Sequence, residues 1–306
     1  MFSYRHAFHA GNHADVLKHI VLIASLRHLM RKDSPLLLVD THAGAGLYRL
    51  DGEAAQTSGE ALSGVARLPA VTALPGMAPA LADYLVLLQG FNAGVSEPCA
   101  WRVYPGSPLL MHALMSESAR EAVHDRLRLF ELHPADVQAL GAHVAQLQAG
   151  RRVQVVREDG FVGLKALLPP PVSGSGSRRA LVLMDPSYEI KSDYAKVAAS
   201  VQDALRRFAT GVYLIWYPII ARPEAHELPR RLKTLANQAG RAWLQATLHI
   251  GTASPESGGG LTASGMFVIN PPHTLKQALD AALPQVLHTL GQGRGRGQAW
   301  EVEVGG

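Results

Sequence analysis

Ala180-Leu-Val-Leu-Met-Asp185-Pro-Ser-Tyr188 is the stretch from which the rest of the chain is read. Its unbroken apolar run, without alternation, is the pattern of a short strand buried on both faces of a parallel sheet. A carboxylate, a rigid turn and an aromatic ring follow at the strand's carboxyl end, the edge where open α/β sheets bind ligands. An exocyclic amine on a nucleobase needs an acceptor for each N–H and a flat surface for its ring. The motif therefore points to chemistry on the amino group of a base.

Working outward, other strands and helices alternate around this one. Val16, Leu17, Ile20, Val21 and Ala24 repeat at helical spacing and predict a helix over 13–32, stopped by Pro35. Leu36-Leu-Leu-Val39 reads as a second buried strand, closed by Asp40 and followed by the glycine-rich turn Thr41-His-Ala-Gly-Ala-Gly46. In a simple nucleotide-binding unit the next strand ends in an acid about 20 residues on. Here the next candidate is Leu127-Arg-Leu-Phe-Glu131, so residues 50–103 read as a small helical subdomain set into the first crossover, with an apolar stripe at Leu81, Tyr84, Leu85 and Leu88. Tyr104-Pro-Gly-Ser-Pro108 reads as a helix start, with Ser107 as N-cap and Pro108 at the first helical position. Further helices are expected over 134–148, 161–168, 192–208, 224–238 and 274–290, and further strands over 153–156, 211–217, 243–250 and 264–269. Residues 251–260 read as a flexible loop and the Gly-Arg tail at 292–297 as mobile or a weak nucleic-acid contact. The fold class expected is α/β: one Rossmann-like domain over 1–306, a mostly parallel sheet flanked by helices, with the helical insertion inside it.

Composition narrows the class. The chain has 306 residues, 47% hydrophobic and 18% charged, which suits a globular protein with a full core. The longest apolar stretches fall short of a membrane span, and the N-terminus lacks a signal-peptide core. A lone cysteine, Cys99, excludes an intrachain disulfide and any CxxC metal site. These features point to a cytoplasmic enzyme without a membrane partner. The net charge of +4 permits a polyanionic partner without demanding one.

Asp40 with its glycine turn, Glu131, Asp159 and Asp185 fall at successive strand ends, which converge on one crevice in a doubly wound sheet. That arrangement suits S-adenosylmethionine. Glycines let the backbone approach the ligand, Glu131 can bind ribose hydroxyls, and Asp159 can accept from the cofactor's adenine amine beside the N–H of Gly160 or Phe161. Gly44-Ala-Gly46-Leu-Tyr-Arg49 lacks the third glycine of the dinucleotide fingerprint, and no Gly-Lys-Ser/Thr phosphate loop occurs. On the substrate side, the Asp185 carboxylate and Pro186 carbonyl can accept both hydrogens of an adenine N6, and Tyr188 can stack on the base.

These residues resemble the bacterial ribosomal large-subunit RNA methyltransferase J family, which methylates N6 of an adenine in 23S rRNA. The resemblance covers nearly the whole chain. It is carried by Tyr4-Arg-His-Ala-Phe-His-Ala-Gly-Asn-His-Ala-Asp-Val-Leu-Lys-His19, Asp40–Gly46, Tyr104–Pro108, Glu131-Leu-His-Pro134, Asp159-Gly-Phe161, Arg207-Phe-Ala-Thr-Gly211, Trp216-Tyr-Pro218 and Thr262-Ala-Ser-Gly-Met266. It implies that His19, His42, Ser107, Glu131, Asp159 and Gly160 contact S-adenosylmethionine, that Asp185 is catalytic and lies against the cofactor, and that Tyr4, with Lys18 as a weaker candidate, touches the RNA. It further implies a monomer acting on naked or early-assembly 23S rRNA without an obligate protein partner. The family reads Asp-Pro-Pro-Tyr where this chain has Ser187, a change that removes a fixed φ and can loosen the loop.

Plainer readings stand beside these. His19 can be an ordinary helical histidine, Ser107 only a cap, Tyr4 only a packed aromatic, and Asn270-Pro-Pro-His273 only a strand-to-helix turn. His6, His9, His13 and His19 lack an acid or cysteine to complete a metal set. The same chemistry on DNA or another RNA, or an RNA-binding scaffold without activity, are the rival functions.

Overall fold

The computed structural model describes residues 5–69, 76–94, 101–120, 122–172, 176–251, 261–292 and 295–306. The central sheet has eight strands: β1 (Leu37–Asp40), β4 (Arg126–Phe130), β5 (Val153–Val156), β6 (Ala180–Met184), β7 (Val212–Pro218), β8 (Trp243–Ile250), β9 (Ala263–Ile269) and β10 (Gln298–Gly305), the buried apolar runs at 180–184 and 36–39 supplying inner strands. Their order is β10-β8-β9-β7-β6-β1-β4-β5. Strands β5, β4, β1, β6 and β7 run parallel, while β9 is antiparallel to β7 and β8. The chain lays β1, β4 and β5 in one direction and then returns to place β6 beside β1. That reversal opens a crevice at the carboxyl ends of β1 and β6.

Helices cover both faces. α1 (His13–Leu29), α4 (Pro79–Phe91), α5 (Ser107–Met115), α6 (Pro134–Gln146) and α10 (Leu275–Leu290) contribute to one apolar core, and α7 (Gly160–Leu167), α8 (Ser192–Arg207) and α9 (Pro223–Gln238) to the other. β1 and β6 are buried along their whole length because both faces are covered. Asn12 caps α1, its side chain accepting from the N–H groups of Ala14 and Asp15.

The inserted region begins and ends on a feature the sequence did not signal. Leu47–Arg49 (β2) and Val103–Pro105 (β3) pair antiparallel as a two-stranded stem. Two short helices, Glu53–Ser58 (α2) and Glu60–Ser63 (α3), and then α4 lie between them. Leu81, Tyr84, Leu85 and Leu88 are buried as expected, in the same core cluster as α1 rather than in a separate core. A second unexpected element is β10. Residues expected to follow a loose Gly-Arg tail form an eight-residue edge strand paired antiparallel with β8. Most of the expected flexible loop over 251–260, and Cys99, lie outside the described residues.

Candidate active site

The crevice at the end of β1 and β6 is lined by the residues of all four strand-end motifs, among them Asp185, Pro186, His42, Glu131, Asp159 and Ser107. The turn after β1 is built on Gly44, whose φ of +61° is the left-handed region that favours glycine. This conformation aims the Gly44 N–H at Glu131 Oε2 (2.8 Å), while the His133 N–H donates to Glu131 Oε1 (2.7 Å). Each carboxylate oxygen keeps a second acceptor site, enough for a vicinal diol. Burial raises the Glu131 carboxyl above its ordinary value, with the backbone donors opposing.

Asp159 is the N-cap of α7, accepting from the Phe161 N–H at 2.9 Å. The Phe161 donor is therefore committed, which leaves the Gly160 N–H as the candidate partner for a ligand. Gly160 sits against the turn after β1: a Cβ there would lie 2.1 Å from the Thr41 carbonyl oxygen. His42 is half-buried, its ring edge-on to Phe161 at 4.8 Å and its Nδ1 2.8 Å from Thr41 Oγ1. Thr41 Oγ1 donates to the Leu183 carbonyl, so it accepts from His42 Nδ1–H, which leaves Nε2 as an acceptor. Burial pulls this imidazole down to about 4, so it is neutral.

Ser107 departs from its expected role. Gly106 is the N-cap of α5, and Ser107 is the first helical residue. Its hydroxyl instead donates to Asp40 Oδ2 at 2.6 Å, while Asp40 Oδ1 accepts from the His42 N–H. Gly106, with φ −73° and ψ 173°, holds the non-helical cap position, so the helix begins one residue earlier than the Ser-Pro pair suggests. Asp40 is fully buried, and burial raises its carboxyl to about 6 against those two hydrogen bonds.

Lys18, which the resemblance places near RNA, lies inside the protein. It is 4% exposed, and its ammonium lies between Asp185 Oδ2 (2.6 Å) and Asp15 Oδ1 (2.7 Å). Asp15 Oδ2 in turn accepts from the Gly11 N–H (2.9 Å) and pairs with His6 Nε2 (3.0 Å). Sequence reasoning missed Asp15 and His6. The spacing of Asp15 and Lys18, one helical turn apart, was the available signal.

Two expected residues do not reach the crevice. His19 is wholly buried, stacked on Tyr104 with Nδ1 2.7 Å from the Tyr104 hydroxyl, and its Nε2 has no hydrogen-bond partner. Tyr188 is 2% exposed and packed against Tyr194 and Trp216 at 4.5 and 5.9 Å. Its hydroxyl donates to the Trp216 carbonyl (2.7 Å), and its φ is +54°. The ring supports the turn that carries Asp185 and Pro186 and offers no face to a base in this conformation. Tyr4 lies outside the described residues. Among the described residues no cluster of His, Cys, Asp or Glu is arranged for a metal ion, and no helix is long and apolar enough to cross a membrane.

The residues present fit S-adenosylmethionine. Glu131 has acceptor capacity left for two hydroxyls, Asp159 stands at the neighbouring strand end for an exocyclic amine, and glycine backbone at Gly44 and Gly160 forms the floor. Glu131→Gln would set an amide N–H₂ against a backbone N–H. We expect cofactor binding roughly ten- to a hundredfold weaker, the loss of one charge-assisted hydrogen bond. Titration calorimetry with S-adenosylhomocysteine checks this, and unchanged affinity would remove Glu131 from the site.

The buried histidines set a pH dependence of stability. Burial pulls His13 to about 4 and His19 to about 3, from 6.5. Their contribution is full above pH 6.5 and is lost as pH falls toward the folded values, because only the unfolded chain readily takes up the protons. Asp40 acts in the opposite sense: raised from 3.8 to about 6, its contribution is full below 3.8 and is lost as pH rises through about 6. Two larger histidine shifts outweigh one carboxyl. The expected melting temperature falls between pH 6.5 and 4, and a His13→Gln, His19→Gln double variant flattens that fall. A midpoint independent of pH over this window would contradict the assignment.

The sheet order is that of a Rossmann-like class I methyltransferase domain, and the crevice residues fit S-adenosylmethionine. Residues 33–302 match the family described as "Ribosomal RNA large subunit methyltransferase D, RlmJ". The chain is 43% identical over 284 residues to "Ribosomal RNA large subunit methyltransferase J" of Escherichia coli (strain K12), covering 93% of this chain and 92% of that protein. It is 40% identical over 304 residues to the protein of the same name from Haemophilus influenzae, covering 99% and 98%. A crystal structure of a Legionella pneumophila protein aligns with a TM-score of 0.78 at 29% identity, over 97% of this chain and 98% of that one. The chain belongs to the ribosomal RNA large subunit methyltransferase J family.

Proposed function

We propose that this enzyme transfers a methyl group from S-adenosylmethionine to N6 of an adenine in 23S rRNA. The observation that carries the reading is the Asp185-Pro186 turn, which stands beside the cofactor residues with one Asp185 oxygen tied to Lys18 and the other left to the crevice. The relatives' names, which specify large-subunit ribosomal RNA, support the substrate.

S-adenosylmethionine, when bound, supplies a methyl group already activated by its sulfonium. The protein's part is to hold a poor nucleophile in line. The N6 lone pair of adenine is delocalised into the ring. With Lys18 on Oδ2, Asp185 Oδ1 accepts one N6 hydrogen and the Pro186 carbonyl the other, which localises the lone pair as nitrogen becomes tetrahedral. Forming the carbon–nitrogen bond leaves the amine with an excess proton, taken by Asp185 Oδ1 or water. The base must be unpaired or flipped out, since N6 is engaged in a duplex. His42, Ser107, Glu131, Asp159 and Gly160, all of which line the crevice, hold the cofactor in this reading, and Tyr4 meets the RNA. Stacking by Tyr188 requires its ring to leave the Tyr194–Trp216 pocket.

In this reading the enzyme acts in the cytoplasm as a monomer, on naked or early-assembly RNA. A panel of matched RNA and DNA fragments separates the substrates: methylation of the 23S fragment alone supports the proposal, and preferential methylation of DNA overturns it.

A further inference from the structure

We propose that Asp15 is a positioning residue for Asp185, acting through Lys18. The inference rests on the methyltransferase reading above, because it gives Asp185 its task. Asp15 is 2% exposed and lies in the first turn of α1. It does not line the crevice, so it touches neither substrate nor cofactor there. Capping does not explain it, since the Asn12 side chain caps the helix.

Its contacts explain it better. The Gly11 N–H and the His6 ring fix Oδ2, at 2.9 and 3.0 Å. Oδ1 faces the Lys18 ammonium at 2.7 Å, and that ammonium donates to Asp185 Oδ2 at 2.6 Å. A lysine stem has four rotatable bonds and fixes its head poorly by one contact. A second carboxylate, anchored on the same helix, holds Nζ at one point. The direction of the Asp185 carboxylate, and so of its remaining oxygen, is then set from α1 rather than from the strained turn that carries it.

The test compares Asp15→Asn, Lys18→Met and the double variant, with turnover expressed per molecule that binds S-adenosylhomocysteine, so that misfolded protein does not count. We expect Asp15→Asn to lower kcat roughly ten- to a hundredfold, the scale of an ångström's misplacement. Cofactor affinity stays within about threefold, as for a group that acts only in the transition state. In the Lys18→Met background, Asp15→Asn costs nothing further, because the intermediary is gone. Asp15→Glu, which keeps the charge, restores part of the rate. Full additivity of the two losses, or unchanged kcat per binding molecule in Asp15→Asn, overturns the proposal.

A second measurement needs no turnover. Nitrogen-15 NMR of the cofactor-free protein is expected to show a slowly exchanging Lys18 ammonium, assigned by its loss in Lys18→Met and moved or broadened by Asp15→Asn. An unaltered resonance overturns the proposal whatever the substrate proves to be, whereas a wild-type enzyme inactive on RNA with the resonance behaving as expected overturns the functional reading alone.

Discussion

Asp185→Asn is expected to lower kcat by roughly a thousandfold or more while the protein still folds and binds cofactor. The isosteric amide keeps the shape of the turn but replaces one acceptor with a donor, so the crevice can no longer accept both N6 hydrogens. Removing one preorganised polar group at a developing charge costs about 10²–10³ in rate, and the mismatch of a donor against a donor adds to this. The fold survives because Lys18 is not left alone: Asp15 Oδ1 remains 2.7 Å from its ammonium, so the buried cation keeps a counter-charge. Breaking a buried pair outright would cost about 3–5 kcal/mol; here one partner remains. Single-turnover kinetics with saturating cofactor, beside a thermal melt, checks both halves. An active Asp185→Asn enzyme would remove the carboxylate from the chemistry.

Gly160→Ala is expected to damage cofactor binding most among single-methyl changes. The added carbon would lie 2.1 Å from the Thr41 carbonyl oxygen and 2.7 Å from the Thr41 Cα. Both are backbone atoms at the end of β1, so no side chain can rotate away. Either α7 lifts off the turn after β1 or the turn shifts. Each moves the Asp159 cap relative to Glu131, the two acids to which we assign opposite parts of the cofactor. Overpacking at such a contact costs about 1–3 kcal/mol, which translates into roughly ten- to a hundredfold weaker binding if the strain falls on the bound state. Calorimetry with S-adenosylhomocysteine is the check, and affinity within twofold of wild type would mean that this contact does not shape the site.

The strand ends were legible because two local signals coincide there: an apolar run long enough for a buried strand, then an acid. Asp40, Glu131, Asp159 and Asp185 all carry that signature; the last three line one crevice, and Asp40 is fully buried, bonded to Ser107 and to the His42 N–H, which do line it. What escaped the sequence depends on distance or on competition. β2 and β3 are three residues each and meet only after the insertion has folded, so no periodicity announces them. β10 carries a short alternation of Trp300, Val302 and Val304 with Glu301 and Glu303, but its partner β8 is set by tertiary pairing rather than by anything local. Ser107 fits the capping rule, yet the helix begins one residue earlier, on Gly106, and the serine hydroxyl donates to Asp40. The contact of Lys18 with Asp185 spans 167 residues and follows only from the sheet order that sets α1 beside the end of β6. Tyr188 was read from its motif, but which way its ring points depends on Trp216 and Tyr194, which no local pattern reveals.

The most direct test of the central claim is to incubate the protein with S-adenosylmethionine and unmodified 23S rRNA, digest the RNA and quantify methylated nucleosides by mass spectrometry. The account predicts one new N6-methyladenosine per molecule of RNA, absent with Asp185→Asn. A methyl group found on another atom, or none transferred by a protein that binds the cofactor, would contradict it.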